Sequence, residues 1–538
     1  MGKIVKIVLC FFMLVMLFGC GQKPSDAEDK QETTEKTENE TETVTIEQLS
    51  SFYSPSDKYP DGRPNMWSNE SAPEAFKRYR EFSVKDLRYS LDENDNEIIS
   101  PLSFYYAMAI LANAADGKTK AEIENALGMT VDDLNNFLSE MEQTYQSETF
   151  KYFNKANALW FNTDLGQLKQ DYVSVINQYY GDSINEGSFA DRKKIVEAVN
   201  KWSASHTDGS INSIIDESDL NDESFFLILN ALTGGGYWDC PFDVSETRFQ
   251  KFYSRDGSNG LVEMMHRTEF GYWSDEKSEG FVKELDSGVG FVAILPKEEI
   301  DIYDYINQMD ADTIIHFMEN VRYQDEVGTV KEKVGDREYE TLLVDEHYTN
   351  LYFPKYQFEK EYDLNRTLLK MGLADIFDAN ACDFSKMADG ALYVQQAKQK
   401  CTIEVDEEKA VATAVTLIEG GKGAGGYQVR ETIYHDVVFN RPFLFAMYVG
   451  REFPIFLGVV SKLGESADKV IRIENITGKI NIRSIPSTKG EKLGSFAKGE
   501  IIYAFETKEA EGYTWYRIGT DRWVADKNGE WIRVLKDS

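Results

Sequence analysis

The spacing of apolar and polar residues changes four times along the chain. An unbroken apolar stretch runs from Ile7 to Phe18, and Gln22 to about Leu49 is then almost wholly Glu, Thr, Lys, Asp and Asn. Helical spacing starts near Ala75. Ile98-Ile99-Ser100-Pro101-Leu102-Ser103 predicts a strand feeding a buried helix through Ala107 to Ala112, ending near Gly117. Ala121 to Gly128 predicts a short helix closed by its glycine. Runs with β character follow at Phe225 to Leu229, Gly290 to Leu295, Leu351 to Phe353 and Phe443 to Val449. Helices clustered early and strands spread late predict an α+β fold. After Gly464 the pattern turns to short alternating strands, Lys479 to Arg483, Ile501 to Phe505, Tyr513 to Arg517 and Arg522 to Val524, with Pro, Gly and Lys turns between them. That pattern predicts a small all-β barrel.

One segment between Glu404 and Asn440 has a shape that an ordinary domain does not need. Glu407-Glu408-Lys409-Ala410-Val411-Ala412-Thr413-Ala414-Val415-Thr416 leads into a glycine-rich tip, Gly420 to Gly426. In an extended strand alternate side chains face opposite sides. Ala410, Ala412, Ala414 and Thr416 form one set, small enough to slide between strands without overpacking. Lys409, Val411, Thr413 and Val415 give charge or β-branching to the other. Taken alone, such alternation also fits an exposed edge strand or a flexible loop.

Composition narrows the partners. Across 538 residues, 58 Lys and Arg stand against 92 Asp and Glu, a formal charge of −34. Such a field repels phosphate backbones and anionic lipid surfaces, which excludes nucleic acid. Five cysteines, at positions 10, 20, 240, 382 and 401, lack the density and spacing of a disulfide framework or zinc site. Cys240, Cys382 and Cys401 are expected to be buried small hydrophobes. The five histidines at 206, 266, 316, 347 and 435 show no metal-ligand pairing and are expected to be surface or hydrogen-bonded structural residues. Gly421 to Gly426 matches a dinucleotide fingerprint formally, but Tyr427 to Ile433 alternates like a strand where the fingerprint needs a helix. Neither a metal nor a cofactor is expected.

At the N-terminus, Lys3 and Lys6 before the apolar run give the layout of an export signal too short to span a membrane. Leu17-Phe18-Gly19-Cys20 resembles a bacterial lipobox, which implies cleavage and diacylation at Cys20. Two acyl chains hold a protein stably on a bilayer. The polar segment behind Cys20 lacks the apolar surface to fold and predicts an extended tether.

Several motifs, in one order, resemble the serpin family of serine protease inhibitors across residues 76 to 463. They are Asn96 with Ser100-Pro101-Leu102-Ser103; Asn230-Ala231 with Gly236-Tyr237-Trp238 and Pro241-Phe242; Leu351 to Tyr356; Leu373 to Phe377; and Val437-Val438-Phe439-Asn440-Arg441-Pro442-Phe443. The resemblance implies three β-sheets, eight or nine helices and an exposed reactive loop. It assigns Glu407 to Thr416 to the hinge and inserting strand, and Asn96, Ser100, Ser103, Asn230 and Gln399 to the region beneath the mobile sheet. Gln399 stands where many members keep a buried histidine and is expected to exchange hydrogen bonds with Asn96. Counting from Glu407 puts the scissile bond between Gly423 and Ala424, with Lys422 as an alternative and Arg430 a more distant one.

The mechanism implied is that of a suicide substrate. A protease acylates itself on the loop, and the freed segment inserts as a new strand and carries the enzyme away. No catalytic residue of the chain's own is then needed. A glycine before the cut implies an elastase-like or subtilisin-like target, and Lys422 a trypsin-like one. Lys409 stands where the family usually has a glycine, which removes backbone freedom and leaves open a noninhibitory binding protein on the same scaffold. Asn481-Ile482-Arg483 with Gly494, Gly499 and Trp515-Tyr516 resembles a bacterial SH3-like domain, implying a cell-wall or peptide ligand, although Trp515 and Trp523 would equally serve a barrel core. The expected organisation is a signal peptide at 1–19, a tether at 20–75, the serpin-like domain at 76–463, a linker at 464–470 and the barrel at 471–536, lipid-anchored outside the cell membrane.

Overall fold

Helices lead, as the periodicity predicts. In the computed structural model, which describes residues 72–535 except 93–94, 146–152, 182–183, 208, 210, 223, 335–336, 396, 411–426, 451–452 and 467–470, α1 (Ala72–Ser90) and β1 (Glu97–Ile99) precede α2 (Pro101–Ala114), α3 (Gly117–Leu127) and α4 (Val131–Tyr145). The described residues all belong to one compact unit, 63–538. The export signal, Cys20, the tether as far as residue 71, Val411 to Thr416, Lys422, Gly423 and Ala424 lie outside the described residues, whereas residues 72–75, expected in the tether, already open α1. Ser100 caps α2, its hydroxyl accepting from the Ser103 amide at 3.2 Å, and Pro101 occupies the first turn, where no helical amide bond is lost. Only Ala107 and Asn113 of α2 fall short of full burial, so its apolar run carries no stripe because neighbours cover it on every side. Gly128 ends α3 at φ 74°, the left-handed conformation that glycine adopts without steric cost.

The chain continues through β2 (Phe153–Asn162), α5 (Gln170–Tyr180), β3 (Ile184–Gly187), α6 (Arg192–His206), β4 (Phe226–Gly234) and β5 (Gly236–Tyr237). Five strands follow, β6 (Arg248–Tyr253), β7 (Asn259–Phe270), β8 (Tyr272–Ser274), β9 (Ser278–Glu284) and β10 (Val289–Pro296). After α7 (Ile302–Gln308) and α8 (Thr313–Glu319) come β11 (Val321–Arg322), β12 (Gln324–Val334), β13 (Arg337–Pro354), β14 (Tyr356–Asp363), α9 (Asn365–Lys370), β15 (Lys398–Val405) and β16 (Lys409–Ala410). The larger domain closes with β17 (Gln428–Val438), β18 (Phe443–Val449), β19 (Phe453–Val460) and β20 (Glu465–Ser466).

These strands form three sheets. A seven-stranded sheet runs β1-β19-β18-β10-β9-β8-β11, and β10 and β18 are buried at every position, which accounts for their continuous apolar runs. A six-stranded sheet joins β12, β13, β7 and β20, with β6 on β7 and β17 parallel to β13. The third sheet lies in two parts, β3-β2-β4 and β14-β15.

Three findings depart from expectation. The β12–β13 hairpin extends from Gln324 paired with Glu346 out to Val334 paired with Arg337, although no apolar alternation announced it. Of the three cysteines, only Cys401 is buried; Cys240 and Cys382 are half-buried because the segments carrying them run near the surface. The C-terminal module has eight strands where four were legible: β21 (Ile471–Asn475), β22 (Ile480–Arg483), β23 (Lys492–Phe496), β24 (Ile501–Ala504), β25 (Glu506–Ala510), β26 (Tyr513–Gly519), β27 (Arg522–Asp526) and β28 (Ile532–Leu535). Trp515 and Trp523 are both buried in it, in a small cluster with Ala525 that is separate from the main core around Ile473, Ile482, Phe496 and Ile518. The chain leaves the larger domain along β7, where Gly260 is required: a Cβ there would stand 1.9 Å from the Leu463 carbonyl oxygen.

Candidate functional site: a hinge at the mouth of an open sheet

The residues that matter lie where β15 ends. Asp406 reverses the chain there. Its carboxylate accepts from the Glu408 amide at 2.9 Å and the Lys409 amide at 2.8 Å, while its own amide donates to the Lys409 carbonyl at 2.8 Å. An aspartate followed by polar residues after a strand is an Asx-turn signal, so this reversal could have been found in the sequence. The turn lays Lys409 and Ala410 antiparallel to β5, opposite Tyr237 and Gly236. Trp238 secures the reversal from below. It is buried, its indole N–H donates to the Asp406 carbonyl at 2.9 Å, and its amide donates to the Glu408 carbonyl at 3.1 Å. The Phe242 amide donates to the Glu407 carbonyl at 2.9 Å.

Beyond this short pair the sheet is open. β4 pairs with β2, and β15 pairs with β14, but no ladder joins β4 to β15 among the described residues. The two edges are bracketed by contacts at both ends. At the hinge they are joined by the β16–β5 pair. At the other end Ser224 donates to Gln395 Oε1 at 2.9 Å, Lys398 meets Asp219 at 2.6 Å, and the Lys400 ammonium reaches the Ser213 carbonyl at 3.3 Å. Unpaired strand edges accept an added strand readily, because each supplies a row of backbone donors and acceptors.

Beneath the sheet, the expected polar group is partly assembled. Gln399 is buried and spans the Ser100 backbone, accepting from its amide at 3.1 Å and donating to its carbonyl at 2.8 Å. The Ser100 hydroxyl donates to the Ile455 carbonyl at 3.0 Å. The expected Gln399–Asn96 exchange does not occur. Asn96 instead closes the end of β19, accepting from the Ser461 and Lys462 amides at 2.8 and 2.9 Å and donating to the Lys462 carbonyl at 2.8 Å. Gln399 is taken up by the Ser100 backbone and Asn96 by the end of β19, so each meets other partners. Ser103 contributes only its capped amide, and Asn230 lies in β4 opposite Asn157 of β2.

Glu407 is the most elaborately held hinge residue. Its carboxylate accepts from the Thr247 hydroxyl at 2.7 Å and lies 2.8 Å from the Lys355 ammonium. Burial pushes this carboxyl up, yet the bonds from Lys355 and Thr247 outweigh that and hold it below its ordinary value. Thr247 was not singled out from the sequence and Lys355 only as one residue of the 351–356 motif, because nothing in their local spacing points across the fold. Lys409 sits in the β16–β5 pair, outside the left-handed region that would demand glycine, and its ammonium reaches Glu404 at 2.9 Å. Lysine therefore fits the hinge conformation without strain.

Past the loop, β17 begins at Gln428 and runs parallel to β13, so a strand rather than a helix follows the glycine-rich tip. Arg430 belongs to that strand, where its Nε donates to Asp345 at 2.7 Å. Among the described residues no cluster of His, Cys, Asp and Glu could hold a metal ion, and no helix is long and apolar enough to cross a membrane.

Residues 75–463 match the family model described as serpin (serine protease inhibitor). Plasminogen activator inhibitor 1 of Neovison vison is 25% identical over 384 residues, covering 68% of this chain and 87% of that protein. An uncharacterized serpin-like protein of Methanosarcina acetivorans is 26% identical over 340 residues, covering 61% of this chain and 74% of that one. Among solved structures, the thermophilic serpin tengpin in its native state gives a TM-score of 0.60 at 29% identity, covering 72% of this chain and 94% of that one. Its latent state gives 0.58 at 26%, covering 73% and 98%. A match over nearly the whole larger domain, together with three sheets and a paired hinge at the mouth of a divided one, makes this chain a member of the serpin family of serine protease inhibitors.

Proposed function

We propose that this protein traps a serine protease by letting it cut the loop after Glu407–Ala410 and then inserting the freed strand between β4 and β15. The observation that carries the reading is the pair of strand edges with no ladder between them among the described residues, beside a hinge that has already formed the first antiparallel pair. The protease serine attacks the carbonyl carbon of Gly423, the bond to the Ala424 nitrogen breaks, and the new amino terminus departs with a proton. What remains is an ester between protease and loop. Each backbone hydrogen bond is worth about 1 kcal/mol net, so a strand paired on both edges gains on the order of 10 kcal/mol, which drives insertion; the trap closes where insertion outruns hydrolysis of the ester. Ala410, Ala412, Ala414 and Thr416 would face the core of the sheet, and Lys422 is the alternative residue before the cut.

The same reading places the molecule outside the cell, held by acylated Cys20 on its acidic tether, with the C-terminal barrel acting as an SH3-like module for a peptide or cell-wall ligand. Incubation with elastase-like, subtilisin-like and trypsin-like proteases tests inhibition. The expected product is a complex of chain and protease that survives denaturant. Clean loop cleavage by every enzyme, with no such complex, would leave a noninhibitory protein on a serpin scaffold.

A further inference from the structure

The C-terminal barrel does not hang free of the larger domain; it reaches the hinge. Arg522, at the start of β27, is buried, and its Nη1 donates to the Thr247 carbonyl at 2.7 Å while its Nη2 lies 3.8 Å from Glu407 Oε1. The chain that continues from β4 through β5 reaches Thr247 just before β6, and the chain that continues from β15 reaches Glu407. These two continuations are the lips; the Thr247 hydroxyl already joins them at 2.7 Å, and the Arg522 guanidinium touches both. A planar guanidinium suits this work, since its several N–H groups are fixed in one fork. Next to it, the Thr520 amide donates to Glu263 Oε1 at 2.7 Å, and Glu263 Oε2 lies 3.5 Å from the same Lys355 that pairs with Glu407.

The barrel is seated by contacts elsewhere as well. Arg248 of β6 meets Glu500 at 3.3 Å, and the Phe249 and Phe505 rings pack edge to face with centroids 4.7 Å apart. Arg522 is thus delivered to the hinge by a docked module, not by a flexible arm. Burying a guanidinium is costly, and the Thr247 carbonyl and the Glu407 carboxylate, with Glu263 and Asp243 nearby, offset that cost while they stay together.

We propose that Arg522 is a positioning residue that holds the two lips of the sheet closed, so that docking of the barrel sets the rate at which the mouth opens to admit the loop. This rests on the insertion reading above, and the test separates the two. Hydrogen exchange is followed in the full chain over residues 236–243, whose Trp238 and Phe242 amides bond the hinge carbonyls, in the intact protein and in Arg522→Met and Arg522→Lys. In parallel, the rate at which nicked protein gains thermal stability is measured for each.

Losing hydrogen bonds to a charged group should speed exchange in 236–243 by roughly tenfold or more in Arg522→Met, with the seven-stranded sheet unchanged. Arg522→Lys, which keeps the charge but loses the fork, should fall between. Insertion after nicking should quicken in the same order. Arg533→Met, which breaks an exposed pair with Glu474 on the barrel, should match the intact protein throughout. Exchange in 236–243 that is unchanged, or that rises equally across the whole domain, overturns the clamp even where nicking stabilises every protein. Faster local exchange with no stabilisation on nicking keeps the clamp and overturns insertion.

Discussion

Two buried carboxylates in this molecule respond to pH in opposite directions. Asp86 on α1 is fully buried, receives one bond from Ser90 at 3.4 Å and leaves its other oxygen without a partner; burial pushes it up to about 8. A raised acid contributes its stability below its unfolded value and loses it as the pH rises through the folded one. Glu407 is held below its ordinary value, so its contribution is present above the ordinary carboxylate range and is lost as the pH falls through its lowered folded value. Denaturant midpoints from about pH 2 to about pH 8 read both. Asp86→Asn should gain on the parent as pH rises, by on the order of a few kcal/mol at pH 8. Glu407→Gln should be less stable than the parent at pH 7 and converge on it in acid. Parallel curves for either variant would contradict the assigned environments. At this scale the sequence was least informative: the partners of Gln399 and Asn96 are backbone groups brought near only by the finished fold.

At the scale of elements, the opening between β4 and β15 is shaped by what its two edges can accept. A strand entering there meets the core with alternate side chains, so a charge placed in the small-residue set should block entry without protecting the loop from a protease. Ala412→Glu is expected to be cleaved at an undiminished rate and to form no denaturant-stable complex; an undiminished yield of complex would contradict the alternation. Elements with strong local signals were legible from the sequence. The capped, largely apolar α2 and the unbroken runs of β10 and β18 needed no tertiary information, because almost every position in them is buried. The β12–β13 hairpin was invisible because Lys331, Glu332 and Lys333 give it no apolar face to read. Half of the barrel strands were missed for a related reason: β25, Glu506–Ala510, carries one half-buried residue among exposed ones.

For the whole molecule, the insertion reading requires that the larger domain be held short of its lowest free energy, and the paired hinge and the docked barrel are the devices proposed to hold it there. Such a state persists through a kinetic barrier rather than through equilibrium stability. Family order was what made this architecture recognisable, since no single motif carries it, whereas the seat of the barrel on the hinge has no signature in the sequence at all. Nicking the loop with a protease and heating the product beside the intact chain tests the central claim most directly. Insertion predicts that the nicked protein unfolds at least about 10 °C higher, given a gain on the order of 10 kcal/mol. Equal or lower unfolding temperature after complete nicking would contradict it.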